Sequence, residues 1–204
     1  DDLTLAFSQR WQDKVGRTAL QLDLSVGRRW NAGAISADRA GGEVSLEHLL
    51  REDWALGGKL SYEAAKIANR PVADSQTSRL TFLVSHRAAG LGAVTLELGA
   101  ADVASEAAGI AWRGPIAAVG WRPALDSGWL DLNLDLSFEQ RNYWRTPDFA
   151  PDQVLGLSVT ANLRKLEFMG FNPAVTVSGA RTRSQVVARD TNEFGVSLGI
   201  SSSF

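Results

Sequence analysis

The sequence predicts an all-β fold: an antiparallel up-and-down transmembrane β-barrel, or a large part of one. Three observations lead there. Long segments alternate apolar with polar residues, the connections between them alternate between short and long, and Trp residues stand at segment ends rather than in their middles.

The clearest segment is residues 130–139, where Leu130, Leu132, Leu134, Leu136 and Phe138 alternate with Asp131, Asn133, Asp135, Ser137 and Glu139. Successive side chains of a strand point to opposite faces, so this pattern gives one apolar and one wet face. A helix would scatter the same leucines around its circumference. Taken in order, the alternation predicts about eleven strands, near 2–11, 17–29, 43–51, 54–66, 76–88, 92–103, 112–124, 128–141, 153–165, 171–182 and 193–204. The second rests on Leu20, Leu22, Leu24 and Val26 against Gln21, Asp23 and Ser25. The third and fifth place His48 beside Leu46 and Leu50, and His86 beside Phe82 and Val84. The seventh is the least regular, with Ile116, Ala117, Ala118 and Val119 consecutive and Pro115 unable to donate to a ladder. The ninth alternates Leu155, Leu157, Val159, Ala161 and Leu163 with Ser158, Thr160, Asn162 and Arg164, and the last alternates Phe194, Val196, Leu198 and Ile200 with Glu193, Gly195, Ser197 and Gly199. Most run about 10 to 15 residues, roughly twice the norm for globular strands. That length suits a tilted membrane crossing.

Composition agrees. The 204 residues are 45% hydrophobic and 22% charged with a net charge of −2, which points neither to disorder nor to a nucleic-acid surface. No apolar run approaches the ~18 residues of a membrane helix, whereas a membrane strand needs only ~10 alternating residues. Cysteine is absent, which removes disulfides and thiolate metal sites. The start at "DDLTLAF" lacks the basic and apolar segments of a secretory signal and reads as a mature or truncated end.

Counting back from the C-terminus, short turns at "KLEFMG", "LDSG", "AAGL", "RED" and "QDKVG" alternate with longer ones at "TRSQVVARDTN", "NYWRTPDFAPD", "VASEAAGIA", "NRPVADSQ" and "NAGAISADRAGG". Bacterial outer-membrane barrels have short periplasmic turns and long extracellular loops, which places Phe204 at the periplasmic edge. An odd strand count leaves the chain start outside the cell, whereas such barrels have even numbers, so at least one strand is expected upstream. Trp11, Trp54, Trp121 and Trp129 fall at periplasmic strand ends and Trp30, Trp112 and Trp144 at extracellular ones, an interface girdle. A soluble β-sandwich or lipocalin-like barrel also alternates, but with its apolar face inward.

The segment "FMGFNPAVTVSGARTRSQVVARDTNEFGVSLGISSSF", residues 168–204, resembles the end of the surface lipoprotein assembly modifier (Slam) family. Gly170, Phe171 and Pro173 match its turn, Arg183 and Ser184 its Arg-Ser pair, and Phe204 its aromatic end. Leu198, Ile200 and Phe204 read as the signal for the barrel assembly machinery. The preceding "RNYWRTPDFAPDQVLGLSVTANLRKLEFMG" is similar in layout, so the resemblance is specific over about 60 residues and only architectural before Arg141; Gln185 and Ser202 depart from it. It implies a C-terminal barrel of roughly fourteen strands, an upstream periplasmic helical-repeat region, and a client surface lipoprotein delivered to the cell surface. Without it, Gly170 to Pro173 is an ordinary turn.

The wet face is expected to line a lumen with Asp23, Lys59, Glu63, Arg79, Glu97, Asp131, Asp135, Glu139, Thr160 and Arg164. Mixed signs argue against a ring selective for one ion charge. Both histidines fall in the apolar register with no Ser beside them, so they read as interface residues rather than a dyad on the barrel's outer wall. "DFAPD" and "ADSQ" lack the spacing of a calcium loop, and no metal or cofactor is assigned. Arg181 and Arg183 read as loop-solubilising residues, with lipopolysaccharide phosphates the alternative partner alongside the outer-membrane lipids. The leading expectation is a passive translocation barrel, the rival a diffusion porin, and a lipid-modifying enzyme ranks below both.

Overall fold

The computed structural model of the protein describes residues 2–31, 34–125, 128–146, 150–166 and 171–202. Eleven strands follow one another: β1 (Asp2–Gln12), β2 (Thr18–Asn31), β3 (Ala34–Leu49), β4 (Trp54–Ile67), β5 (Ser75–Ala88), β6 (Gly92–Ser105), β7 (Trp112–Arg122), β8 (Leu130–Arg141), β9 (Asp152–Leu163), β10 (Phe171–Arg183) and β11 (Thr191–Ser202). Each pairs antiparallel with its sequence neighbours, in one sheet ordered β1 to β11. The described chain is therefore all-β, antiparallel and up-and-down. Because the number is odd, the two edge strands β1 and β11 run in the same direction.

Register assigns the faces. Leu134 pairs with Val159 and Leu136 with Leu157 on one side, while Asp135 pairs with Ser158 on the other. The apolar side is turned outward: Leu5 is 65%, Phe82 65% and Leu157 54% exposed, in a band that continues across the sheet through Leu24, Val44, Leu60 and Leu98. An exposed apolar surface of this extent is foreign to a protein in water and is what hydrocarbon requires. The inward-packed β-sandwich is thereby excluded.

The polar side is concave. Small residues on it, Ala19, Ala55, Thr81 and Ala101, are buried, and glycines mark where the sheet coils most tightly. A Cβ at Gly99 would lie 2.1 Å from the Leu80 carbonyl oxygen, and one at Gly114 1.8 Å from that of Gln140. Only Gly fits where strand backbones approach so closely. At Gly114 the β7–β8 ladder is also interrupted: regular pairing runs from Ile116 to Trp121 and resumes only as the isolated Arg113–Asn142 bridge. Pro115, which cannot donate, stands in the gap.

The structure corrects one boundary. β3 starts at Ala34, so most of "NAGAISADRAGG", expected as a long loop, is strand, with Asn31 opposite Ala34. The segment carries Ala, Gly and Ser where alternating apolar residues are the usual signal, and ladders to β2 and β4 on both sides hold it extended. A bulge between Arg29 and Trp30 reconciles the registers. Otherwise the strand ends joined from β1 to β2, β3 to β4, β5 to β6, β7 to β8 and β9 to β10 lie at one rim, the turn rim, and those joined from β2 to β3, β4 to β5, β6 to β7, β8 to β9 and β10 to β11 at the other, the loop rim.

Turn chemistry is explicit at 13–17. The Asp13 carboxylate accepts the Arg17 N–H at 2.7 Å, the Asp13 N–H donates to Thr18 O at 2.9 Å, and Gly16 takes φ +71°. Desolvation in the turn pushes the Asp13 carboxyl up, but hydrogen bonds from Thr18, Arg17 and Gly16 outweigh it and hold it below the ordinary carboxylate value.

Candidate functional site

The concave face gathers most of the hydrophilic side chains, while the pairs Arg28–Asp38 and Arg113–Asp102 lie in the outward register near the loop rim. Lys59 Nζ donates to Glu97 Oε1 at 2.8 Å across β5, and Arg141 Nε to Glu139 Oε1 at 2.5 Å. Arg164 pairs with Asp131 where β8 and β9 meet the turn rim. Further hydrogen bonds fill the intervals: Thr160 to Thr176 at 2.9 Å, Ser85 to Thr95 at 2.9 Å, Gln21 to Asp23 at 2.9 Å and Arg122 to Asn133 at 2.8 Å. Such pairs hold side chains against the wall and cancel charge locally. Asp23, Lys59, Glu63, Arg79, Glu97, Asp131, Asp135, Glu139 and Thr160 all take this inner register, with Arg164 just beyond the end of β9.

Charge is nevertheless uneven. Asp23 stands directly opposite Glu43, while Glu47 and Glu63 share the inner face of β3 and β4. Sequence reasoning did not single out Glu43 and Glu47; cross-strand register sets Glu43 opposite Asp23 and Glu47 opposite Ala19 on the same face, and a linear pattern does not display it. Across β5, Arg79, Thr81, Glu97, Ile116, Ser137 and Arg141 line a recess of about 280 Å³.

Trp11, Trp54, Trp121 and Trp129 sit exposed at the turn rim, and Trp144 at the loop rim. Trp121 donates its indole N–H to Leu91 O at 2.9 Å, so its polar edge is satisfied by the turn backbone. Trp30 lies near the end of β2. Trp112 departs from the expected girdle. It pairs with Val103 on the concave face, is only 6% exposed, and packs with Ala101, Val103 and Tyr143. Its position at a strand end was legible, but its face was not, because the irregular run from Gly114 to Val119 hides the register.

The histidines mark the outer wall at the turn rim. His86 stacks on Trp54 with centroids 4.4 Å apart, and His48 Nδ1 lies 3.0 Å from the Thr18 hydroxyl. Thr18 comes from the neighbouring strand, so a search for Ser in the same register did not reveal it. Among the residues named for the family resemblance, Gly170 and Phe204 lie outside the described residues. Pro173 pairs with Ile200, and Phe171 with Ser202. Leu198 is exposed on the outer register of β11, the Ser184 hydroxyl accepts the Val186 N–H at 3.0 Å, and Arg183 is exposed. Arg181 is tied to Asp190 at 2.5 Å and Asn192 at 3.3 Å. Among the described residues no cluster of His, Cys, Asp and Glu has the arrangement of a metal site.

No protein-family model matches the chain, and no curated protein matches it by sequence. Solved structures do. The KdgM porin in complex with disordered oligogalacturonate superposes with a TM-score of 0.58 at 11% identity, over 100% of this chain and 92% of that one. The translocator domain of the autotransporter NalP from Neisseria meningitidis superposes with a TM-score of 0.52 at 18% identity, over 100% of this chain and 79% of that one. At such identities the likeness concerns the fold alone, and with the outward apolar band and concave polar wall it fixes the architecture: the chain has the fold of an outer-membrane β-barrel.

Proposed function

We propose that this chain forms a passive aqueous passage in the bacterial outer membrane, admitting small hydrophilic solutes by diffusion. One observation carries the reading: an inner wall of mixed charges, paired as in Lys59–Glu97, set behind an outer wall with a continuous apolar band. Water fills a surface of the first kind and lipid covers the second. No catalytic step is assigned to any residue. The turn rim is read as periplasmic and the loop rim as extracellular, against lipopolysaccharide.

Closure is part of the proposal. Since β1 and β11 run in the same direction, one additional strand, antiparallel to both, completes an even-numbered ring without a parallel ladder. We assign that strand, together with any helical-repeat region, to chain upstream of Asp1. Purified full-length protein in planar bilayers is expected to give steady single-channel currents. Silent bilayers despite a heat-modifiable, folded barrel would sink the passage reading.

A second reading is favoured by residues 168–204, which resemble the Slam family. On it the barrel guides a client surface lipoprotein outward, after insertion by the barrel assembly machinery. Deleting the gene then abolishes surface display of the client; unchanged display removes this reading and leaves the first.

A further inference from the structure

The buried apolar cluster among the described residues is not on the lipid side. Ala101, Val103, Trp112 and Tyr143, flanked by Ile110 and Ile116, lie at the loop-rim end of the concave face, a surface otherwise polar. The connections above them are joined in series. Ala107 N–H donates to Val72 O at 2.8 Å, Arg145 Nη1 to Glu106 O at 2.6 Å, and the Arg189 guanidinium lies 4.0 Å from the Tyr143 ring centroid. Beneath Arg189 sits Asp152, 2% exposed, its carboxylate 3.6 Å from the guanidinium. On the other flank the Arg141 guanidinium lies 5.3 Å from the Trp112 ring. Ala111, at the foot of the 106–111 connection, is fully buried.

A carboxylate is rarely buried unless a cation accompanies it, and the cation here comes from a different connection. The Arg189 side chain is thus held over Tyr143, while Val187 beside it is exposed. The geometry points to a plug: connections 68–74 and 106–111, the turn at Tyr143 and the 187–189 turn, which join strands from β4 to β11, cover that side of the loop-rim mouth, with Arg189, seated on Asp152 and Tyr143, as the latch. This rests on the aqueous-passage reading, since a plug has meaning only over a passage.

The protein has no cysteine, so a single Val103→Cys replacement, close in volume, reports opening of the plug by its reaction rate with a hydrophilic maleimide. Ser45→Cys on the inner face of β3 is the control. R189A is expected to raise Val103→Cys labelling roughly tenfold or more, because removing one partner of a buried ion pair favours local opening, to leave the Ser45→Cys rate unchanged, and to raise single-channel conductance. D152N, which keeps the side-chain shape, gives the same pattern and serves if R189A does not assemble. Unchanged Val103→Cys labelling in a heat-modifiable barrel overturns the plug, as does equal acceleration at both cysteines. Equal conductance of wild type and R189A also overturns it while the passage stands. If neither conducts, the passage reading falls first and the plug with it.

Discussion

Leu157 provides the sharpest test of which side of the sheet meets lipid. It lies mid-strand in β9, between Leu136 and Gly179, with 54% of its surface exposed. Leaving about half of a leucine to hydrocarbon rather than water is worth roughly 1 kcal/mol, and placing Arg at the bilayer midplane of a barrel costs about 2–4 kcal/mol. L157R is therefore expected to lower the unfolding free energy in lipid vesicles by about 2–4 kcal/mol, a loss of more than tenfold in the folding equilibrium. The neighbouring S158R, on the concave face opposite Asp135, is expected to stay within about 0.5 kcal/mol. Urea titration in vesicles, followed by the heat-modifiable band on gels, measures both. If L157R is neutral and S158R costs several kcal/mol, the assignment of faces is wrong.

Three further outcomes are expected. G114A forces a Cβ against the Gln140 carbonyl and is expected to cost about 1–3 kcal/mol, whereas G179A, whose nearest neighbouring atom is 3.7 Å away, is expected to be close to neutral; the same titration compares them. K59Q frees the Glu97 carboxylate inside the passage, with a cost of at most about 1 kcal/mol, and the reversal potential in a salt gradient is expected to move toward cation preference. Asp13 stabilises its turn while ionised: its folded-state value is depressed, so the contribution is present above the ordinary carboxylate value and is lost as pH falls through the lowered one. Amide exchange at Arg17 should accelerate across that acid interval beyond its intrinsic pH dependence, and D13N should abolish that component.

How much of this was legible in sequence depended on whether a segment obeyed one rule. Leu130 to Phe138 follows period two without exception, and β8 forms where that rule puts it. β3 was half visible, since Val44, Leu46 and His48 alternate while Ala34 to Gly42 offers small residues whose extended state is imposed by neighbours on both sides. Alternation also gave the inner register of Lys59 and Glu97, but not that they meet at 2.8 Å, which requires pairing across β5. The mouth cluster was invisible because most of its parts come from connections: Ile110, Tyr143 and Arg189, with Asp152 at the first position of β9, belong to no shared periodicity. Trp112 illustrates the limit, since period two says which residues share a face and only a packed neighbour says which face it is.

The strand order also bears on how the molecule is built up. Every ladder among the described residues joins segments adjacent in the chain, so each of these closes a short loop at small entropic cost. A hairpin formed early needs no distant partner, and the next strand finds its template already in place. Removing or duplicating one hairpin leaves the remaining ladders intact and changes only the circumference, so barrels of different girth lie a single duplication apart.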